Sequence, residues 1–102
     1  MEYLFSYGTL QEHDVQNVLF QKTLSGCPDE VTGFVLSPNK AYGIYPALLK
    51  TKDSSHRISG MVYEVTETDL ANADDYEGDF YKRIRVGLKS GKKAWLYVAK
   101  HL

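Results

Sequence analysis

The sequence predicts an α+β domain: a small closed mixed β-barrel of about six strands with two or more short helices. Two observations carry this expectation. Short β-rich runs punctuated by Gly, Pro, Asn and Ser recur along most of the chain, and only two segments read as helix. A chain of 102 residues is also too small to stack those strands as βαβ layers, so a curved sheet closed by the helices is the economical arrangement. Its 43% hydrophobic and 25% charged content is ordinary for a globular protein. One domain over residues 1–102 with one core is expected.

Tyr3 to Tyr7 reads as an aromatic-rich first strand ended by Gly8. Thr9 and Glu12 fit a capping box, which predicts a helix from Thr9 to about Gln21 with Val15, Val18 and Leu19 on one face. Ser25 to Asp29 reads as a turn-rich connection. Val31 to Ser37 is a second strand, ended by Pro38-Asn39-Lys40. Ala41–Tyr45 and Ala47–Lys50 are two more candidates, and Pro46 between them requires an edge, a bulge or a bend.

After a polar loop at Lys52–Ser55, Arg57 to Val65 alternates as a strand. Ile58, Gly60, Val62 and Glu64 face one way, and Ser59, Met61, Tyr63 and Val65 the other. A short helix through Leu70, Ala71 and Ala73 follows Thr66 and stops at Gly78. Tyr81–Leu88 and Lys93–Ala99 form a hairpin about Ser90-Gly91. In it Ile84, Val86 and Leu88 oppose Tyr81, Arg83 and Arg85, while Leu96 and Val98 oppose Trp95 and Tyr97.

Several function classes fall away. Net charge is −1 and the 12 Lys and Arg are scattered, so no nucleic-acid footprint is expected. The longest apolar run, Ala41 to Leu49, is interrupted by Gly43 and Pro46, so no membrane span is expected. Met1-Glu2-Tyr3-Leu4 lacks the basic start of a signal peptide. Cys27 is the only cysteine, and with His13, His56 and His101 it makes no zinc spacing. The expectation is a cytoplasmic monomer without metal or cofactor.

Chemistry concentrates in two places. Asp74-Asp75-Tyr76-Glu77-Gly78-Asp79 puts acids at a helix C-terminus, where the carbonyl pole makes each cost about 0.3–1 kcal/mol. Asp75 and Asp79 read as a solvated corner. Glu77, between Tyr76 and the Gly78 turn and ahead of Phe80 and Tyr81, is either surface decoration or a general base with a raised pKa. The second place is Tyr7-Gly8-Thr9-Leu10, where a glycine before a helix lets backbone N–H groups approach a carboxylate or oxyanion. Alternatively Gly8 only makes a tight turn and Thr9 only caps the helix. Cys27 has no nearby His, and Ser6 lacks the elbow of a hydrolase serine. An enzyme built this way works by acid–base chemistry and positioning. Arg83 and Arg85 read as an exposed strand face, with binding of an acidic substrate the alternative, and Tyr97 as core or pocket lining.

Four stretches in order resemble the gamma-glutamylcyclotransferase-like family: Tyr7-Gly8-Thr9-Leu10, Ala41 to Leu48, Ile58 to Val65, and Asp74-Asp75-Tyr76-Glu77-Gly78 followed by Tyr81 and Arg83. The resemblance implies a closed barrel with a cavity beside it. It also implies a small γ-glutamyl substrate, whose glutamyl part lies on the backbone of Tyr7, Gly8, Thr9 and Leu10, and Glu77 as the catalytic acid/base. Family members release 5-oxoproline from γ-glutamyl amino acids or amines. A γ-glutamyl amine or small γ-glutamyl peptide is the expected substrate. γ-Glutamyl-ε-lysine and a non-catalytic carboxylate-binding role are the alternatives. Ala73 stands where the family often has leucine, a packing change. The chain stops at Leu102, just after the last strand, where longer members can wall the pocket with a tail; a more open site is expected.

Overall fold

A computed structural model describes residues 1–100; His101 and Leu102, the last positions of the expected 1–102 domain, lie outside the described residues. Among the described residues, seven strands and two helices form an α+β fold with a mixed five-stranded sheet and a small two-stranded one. The five-stranded sheet contains β1 (Glu2–Ser6), β2 (Gly26–Thr32), β5 (Arg57–Val65), β6 (Tyr81–Gly87) and β7 (Lys93–Ala99), in the order β2-β5-β1-β7-β6. β3 (Phe34–Leu36) and β4 (Leu48–Lys50) form the small sheet. The helices are α1 (His13–Phe20) and α2 (Glu67–Glu77).

β1 sits at the centre, antiparallel to β5 and parallel to β7, with Leu4 opposite Trp95 and Phe5 opposite Leu96. Period-two alternation sends Leu4 and Phe5 to opposite faces, and both are buried. Leu4 packs with Tyr63, Val65, Tyr81, Tyr97 and the helix residues Phe20, Leu70 and Ala73. Phe5 packs with Val31, Phe34, Leu48, Val62, Leu96 and Val98. The helices therefore cover one face and the β3–β4 pair the other. The alternation expected for 57–65 and for the 81–99 hairpin is the one observed.

The sheet does not close into the expected barrel. Its edges are β2 and β6, and no ladder joins them among the described residues. The turn after β6 reaches β2 without forming a ladder: Lys89 N–H donates to the Glu30 carbonyl at 2.9 Å, and the Ser90 N–H and hydroxyl donate to the Asp29 carboxylate. Residues 26–29, expected as a turn, already belong to β2. Pro28 is tolerated there because β2 is an edge strand. The run expected as one strand over 31–37 breaks at Gly33, whose φ of 82° redirects the chain into the small sheet. Ala41–Tyr45 is no strand. Tyr42 at φ 52° and Gly43 at φ 79° reverse the chain, so Ala41 and Tyr45 bond each other's backbone.

The first helix also departs from expectation. Thr9–Gln11 is a single 3-10 turn, and α1 begins at His13 with no side-chain cap from Glu12. The Thr9 hydroxyl is engaged elsewhere, 2.7 Å from the Tyr76 hydroxyl. On α1 the buried residues are Gln16 and Phe20, while Val18, expected inward, is 81% exposed. The capping box forms on α2 instead. Asp69 N–H donates to Thr66 Oγ1 at 3.0 Å, and Thr66 N–H donates to Asp69 Oδ2 at 2.9 Å. Lys22 Nζ pairs with Asp69 at 3.1 Å, and Asn72 Nδ2 donates to the Leu19 carbonyl, docking α2 on α1. Gly78 ends α2. No helix among the described residues is long and apolar enough to cross a membrane.

Candidate active site

Where β1 leaves the sheet, residues 6–10 turn across the end of α2 and enclose a cavity with Pro46, Glu77, Tyr81 and Tyr97. A second chamber shares Thr9, Glu77 and Tyr81 with it and is otherwise lined by Tyr42, Tyr45 and Tyr76. The inner cavity has a volume of about 20 Å³ and the second about 90 Å³, and both open to solvent. Tyr7, Gly8, Thr9 and Leu10 thus line one cavity together with Glu77.

Glu77 is the last residue of α2 and is half-buried. Burial raises its pKa from 4.5 to about 7, with no charge or hydrogen bond opposing it. The acids beside Glu77 in sequence are not a cause of that rise. The structure disperses them. Asp75 and Asp79 are exposed, as expected. Asp74 accepts from Arg83 Nε at 3.0 Å and Nη2 at 3.2 Å, and from the Tyr97 hydroxyl at 2.6 Å. Arg83 also lies over the Trp95 ring at 4.4 Å, so it is no free cation for a substrate.

The phenols of the inner cavity are locked donors. Tyr7 donates to the Tyr97 carbonyl at 2.7 Å, and Tyr81 to the Pro46 carbonyl at 2.6 Å. Burial pushes the pKa values of Tyr7, Tyr81 and Tyr97 upward, and the Glu77 charge adds to each. Glu77 is therefore the group in this wall suited to exchange a proton near neutral pH.

In the loop, Gly8 is not left-handed, with φ −131° and ψ −144°. A Cβ there would meet only Pro46 Cγ, at 3.8 Å. The backbone itself does not demand glycine, contrary to one form of the expectation, and the cavity side of the residue is left open. Gly8 N–H donates to Ser6 Oγ at 3.3 Å, whereas Thr9 and Leu10 N–H face no acceptor among the described residues. The loop is fixed from behind by Gln16, 1% exposed, which donates to the Leu10 carbonyl at 2.9 Å and accepts from Leu24 N–H at 2.8 Å.

Gln16, Tyr42, Tyr45, Pro46 and Tyr76 were not singled out as site residues from sequence. The available signal was tyrosine abundance: six of the chain's eight tyrosines line these two cavities. Among the described residues no group of three or more His, Cys, Asp or Glu is placed to hold a metal ion; His101 lies outside them.

The model of the family described as "Gamma-glutamyl cyclotransferase, AIG2-like" matches residues 4–102. The chain belongs to this family. AIG2-like protein A of Arabidopsis thaliana is 31% identical over 86 residues, 83% of this chain and 50% of its own. The chain therefore spans about half the length of that curated relative. An Arabidopsis thaliana protein solved in solution matches with a TM-score of 0.81 at 26% identity, over 96% of this chain and 61% of the other. A structure titled gamma-glutamyl cyclotransferase matches with a TM-score of 0.75 over 98% of this chain and 67% of its own. At 17% identity, that likeness speaks for a shared fold alone. Three of the four stretches that carry the sequence resemblance, the Tyr7–Leu10 loop, the turn within Ala41–Leu48 and the helix end at Glu77, meet at the two chambers; the fourth, Ile58–Val65, lies in β5.

Proposed function

We propose that this AIG2-like family member is a cyclotransferase that releases 5-oxoproline from a γ-glutamyl amine or small γ-glutamyl peptide. The observation that carries the reading is Glu77, with a pKa of about 7, facing the Tyr7–Leu10 backbone across one cavity. Glu77 takes a proton from the substrate's α-ammonium group. The freed amine attacks the substrate's own γ-carbonyl carbon, forming the ring N–C bond. Protonated Glu77 then returns its proton to the leaving nitrogen as the amide C–N bond breaks, and the ring nitrogen's remaining extra proton passes to the freed amine, leaving 5-oxoproline and an ammonium product. Atoms and charge balance without an enzyme nucleophile or a cofactor.

The Thr9 and Leu10 N–H groups suit the glutamyl α-carboxylate, holding the chain folded so that amine and carbonyl meet. Such orientation is worth up to about 7–11 kcal/mol of barrier. The leaving amine falls in the second chamber. Its wall of four tyrosines beside Glu77 suits an uncharged or cationic amine. The test is 5-oxoproline release from a panel of γ-glutamyl amines, γ-glutamyl-ε-lysine and γ-glutamyl amino acids, with Glu77→Gln as control. The expected result is turnover by wild type and none by Glu77→Gln. Binding without release from any of these compounds would instead identify a carboxylate-binding module.

A further inference from the structure

Glu77 is the last residue of a helix, and the last carbonyls of a helix have no donor of their own. Where its carboxyl points depends on how the chain leaves α2. Gly78 takes φ 75° and ψ −165° there, a conformation open essentially to glycine alone. Across that exit lies Tyr42, from the turn between β3 and β4. Its hydroxyl donates to the Glu77 carbonyl at 3.2 Å and accepts from Phe80 N–H at 3.4 Å, bonding the chain on both sides of Gly78. A Cβ on Gly78 would come within 2.5 Å of that hydroxyl oxygen, so the glycine is also what lets it approach. The Tyr42 ring leans on Phe80 at 5.9 Å.

Core burial does not account for this tyrosine. It is 60% exposed, and its backbone is left-handed at φ 52°, which costs a residue with a Cβ about 1–2 kcal/mol. The strained turn has one visible product, a hydroxyl set against the end of α2.

We propose that Tyr42 is a positioning residue for Glu77, its hydroxyl clasping the chain on both sides of Gly78 so that the Glu77 carboxyl is aimed into the cavity. The inference rests on Glu77 being the acid/base of the proposed reaction. Tyr42 acts through Glu77; its ring separately lines the second chamber.

Tyr42→Phe removes the clasp and keeps the ring, while Tyr42→Ala removes both. The other titratable groups around the carboxyl, Tyr7, Tyr81 and Tyr97 within and Tyr45 and Tyr76 outside, are left in place. Two measurements are made on each variant: titration of the Glu77 side-chain carboxyl by carbon-13 NMR without substrate, and 5-oxoproline kinetics. In Tyr42→Phe the loosened carboxyl reaches water, and its midpoint falls by about half a unit or more. The same variant loses about tenfold or more in kcat, with KM little changed; Tyr42→Ala shares both effects and raises KM as well. An unmoved Glu77 midpoint in Tyr42→Phe overturns the clasp, whatever the kinetics. The titration needs no substrate, so a wild type that turns over nothing counts against the proposed reaction and leaves the clasp to be judged by NMR.

Discussion

Replacing Glu77 by glutamine keeps the side chain's shape and removes its ionisation. Burial holds the carboxyl near pKa 7, against an ordinary 4.5, so the folded protein binds this proton more tightly than the unfolded chain. Stability must then fall as pH rises from 4.5 through 7 and stay low above it. At about 1.4 kcal/mol per unit, the shift amounts to about 3 kcal/mol. Glu77→Gln escapes that cost. Above pH 7 it should be more stable than wild type by up to about 3 kcal/mol, about 10–20 °C in midpoint for a domain of this size. Below pH 4.5 the two proteins should unfold alike. Thermal unfolding at pH 4 and pH 8 checks this, beside the 5-oxoproline assay, in which the amide variant should be inactive. A variant less stable than wild type at pH 8 would make Glu77 a satisfied structural carboxylate. A gap of equal size at both pH values would refute the assignment of the cost to ionisation.

Other substitutions separate the loop, the helix exit and the supporting bonds. Gly8→Ala should move unfolding stability by less than about 1 kcal/mol, since only Pro46 is near its Cβ. In the proposed reaction it should nevertheless impair turnover, because the added methyl group would meet the glutamyl chain there; normal kinetics would remove the loop from the site. Gly78→Ala should cost about 1–3 kcal/mol from backbone strain alone, with the clash against Tyr42 in addition, as read by urea unfolding. Gln16→Leu strands the Leu10 carbonyl and Leu24 N–H, at about 1–3 kcal/mol for each. A variant as stable as wild type would show that water replaces the amide. Tyr97→Phe removes the 2.6 Å bond to Asp74 and should cost about 1–2 kcal/mol by the same measurement.

The strands at 57–65 and 81–99 were readable because a period of two leaves a pattern that packing respects: Val62 and Tyr63, or Leu96 and Tyr97, face the opposite layers that alternation assigns them. The features that escaped depend on partners distant in sequence. Thr9 has the residue type and spacing of a helix cap, yet its hydroxyl is taken by Tyr76, 67 positions away. Gln16 looks like a solvent-facing glutamine until the two backbone groups it satisfies are known. Residues 26–29 have turn composition, and only the edge position of β2 makes Pro28 compatible with a strand. Ala41–Tyr45 has the aromatic and β-branched residues of a strand, and the Tyr42-Gly43 reversal overrides that composition. In the site itself, the Glu77 position and the Tyr7–Leu10 loop were visible as motifs. The chambers were not, because the tyrosines that wall them come from the loop after β1, the 41–45 turn, α2, β6 and β7, which sequence does not bring together.

The parallel pairing of β1 with β7 bears on the order in which the molecule can be built. β1 leaves the ribosome before the other strands of the sheet and takes its middle, but one of its two neighbours, β7, is the last of these strands to emerge. A growing chain can pair β1 with β5 and dock the helices while the other edge of β1 stays open, a bare row of donors and acceptors. Leu96 and Tyr97 arrive only with β7, so neither face of the sheet can finish packing beforehand. Pairing Leu4 with Trp95 closes a loop of about ninety residues, which places the domain among slower, topology-limited folders. During synthesis, the interval before β7 emerges is when this protein is most exposed to pairing with the wrong strand.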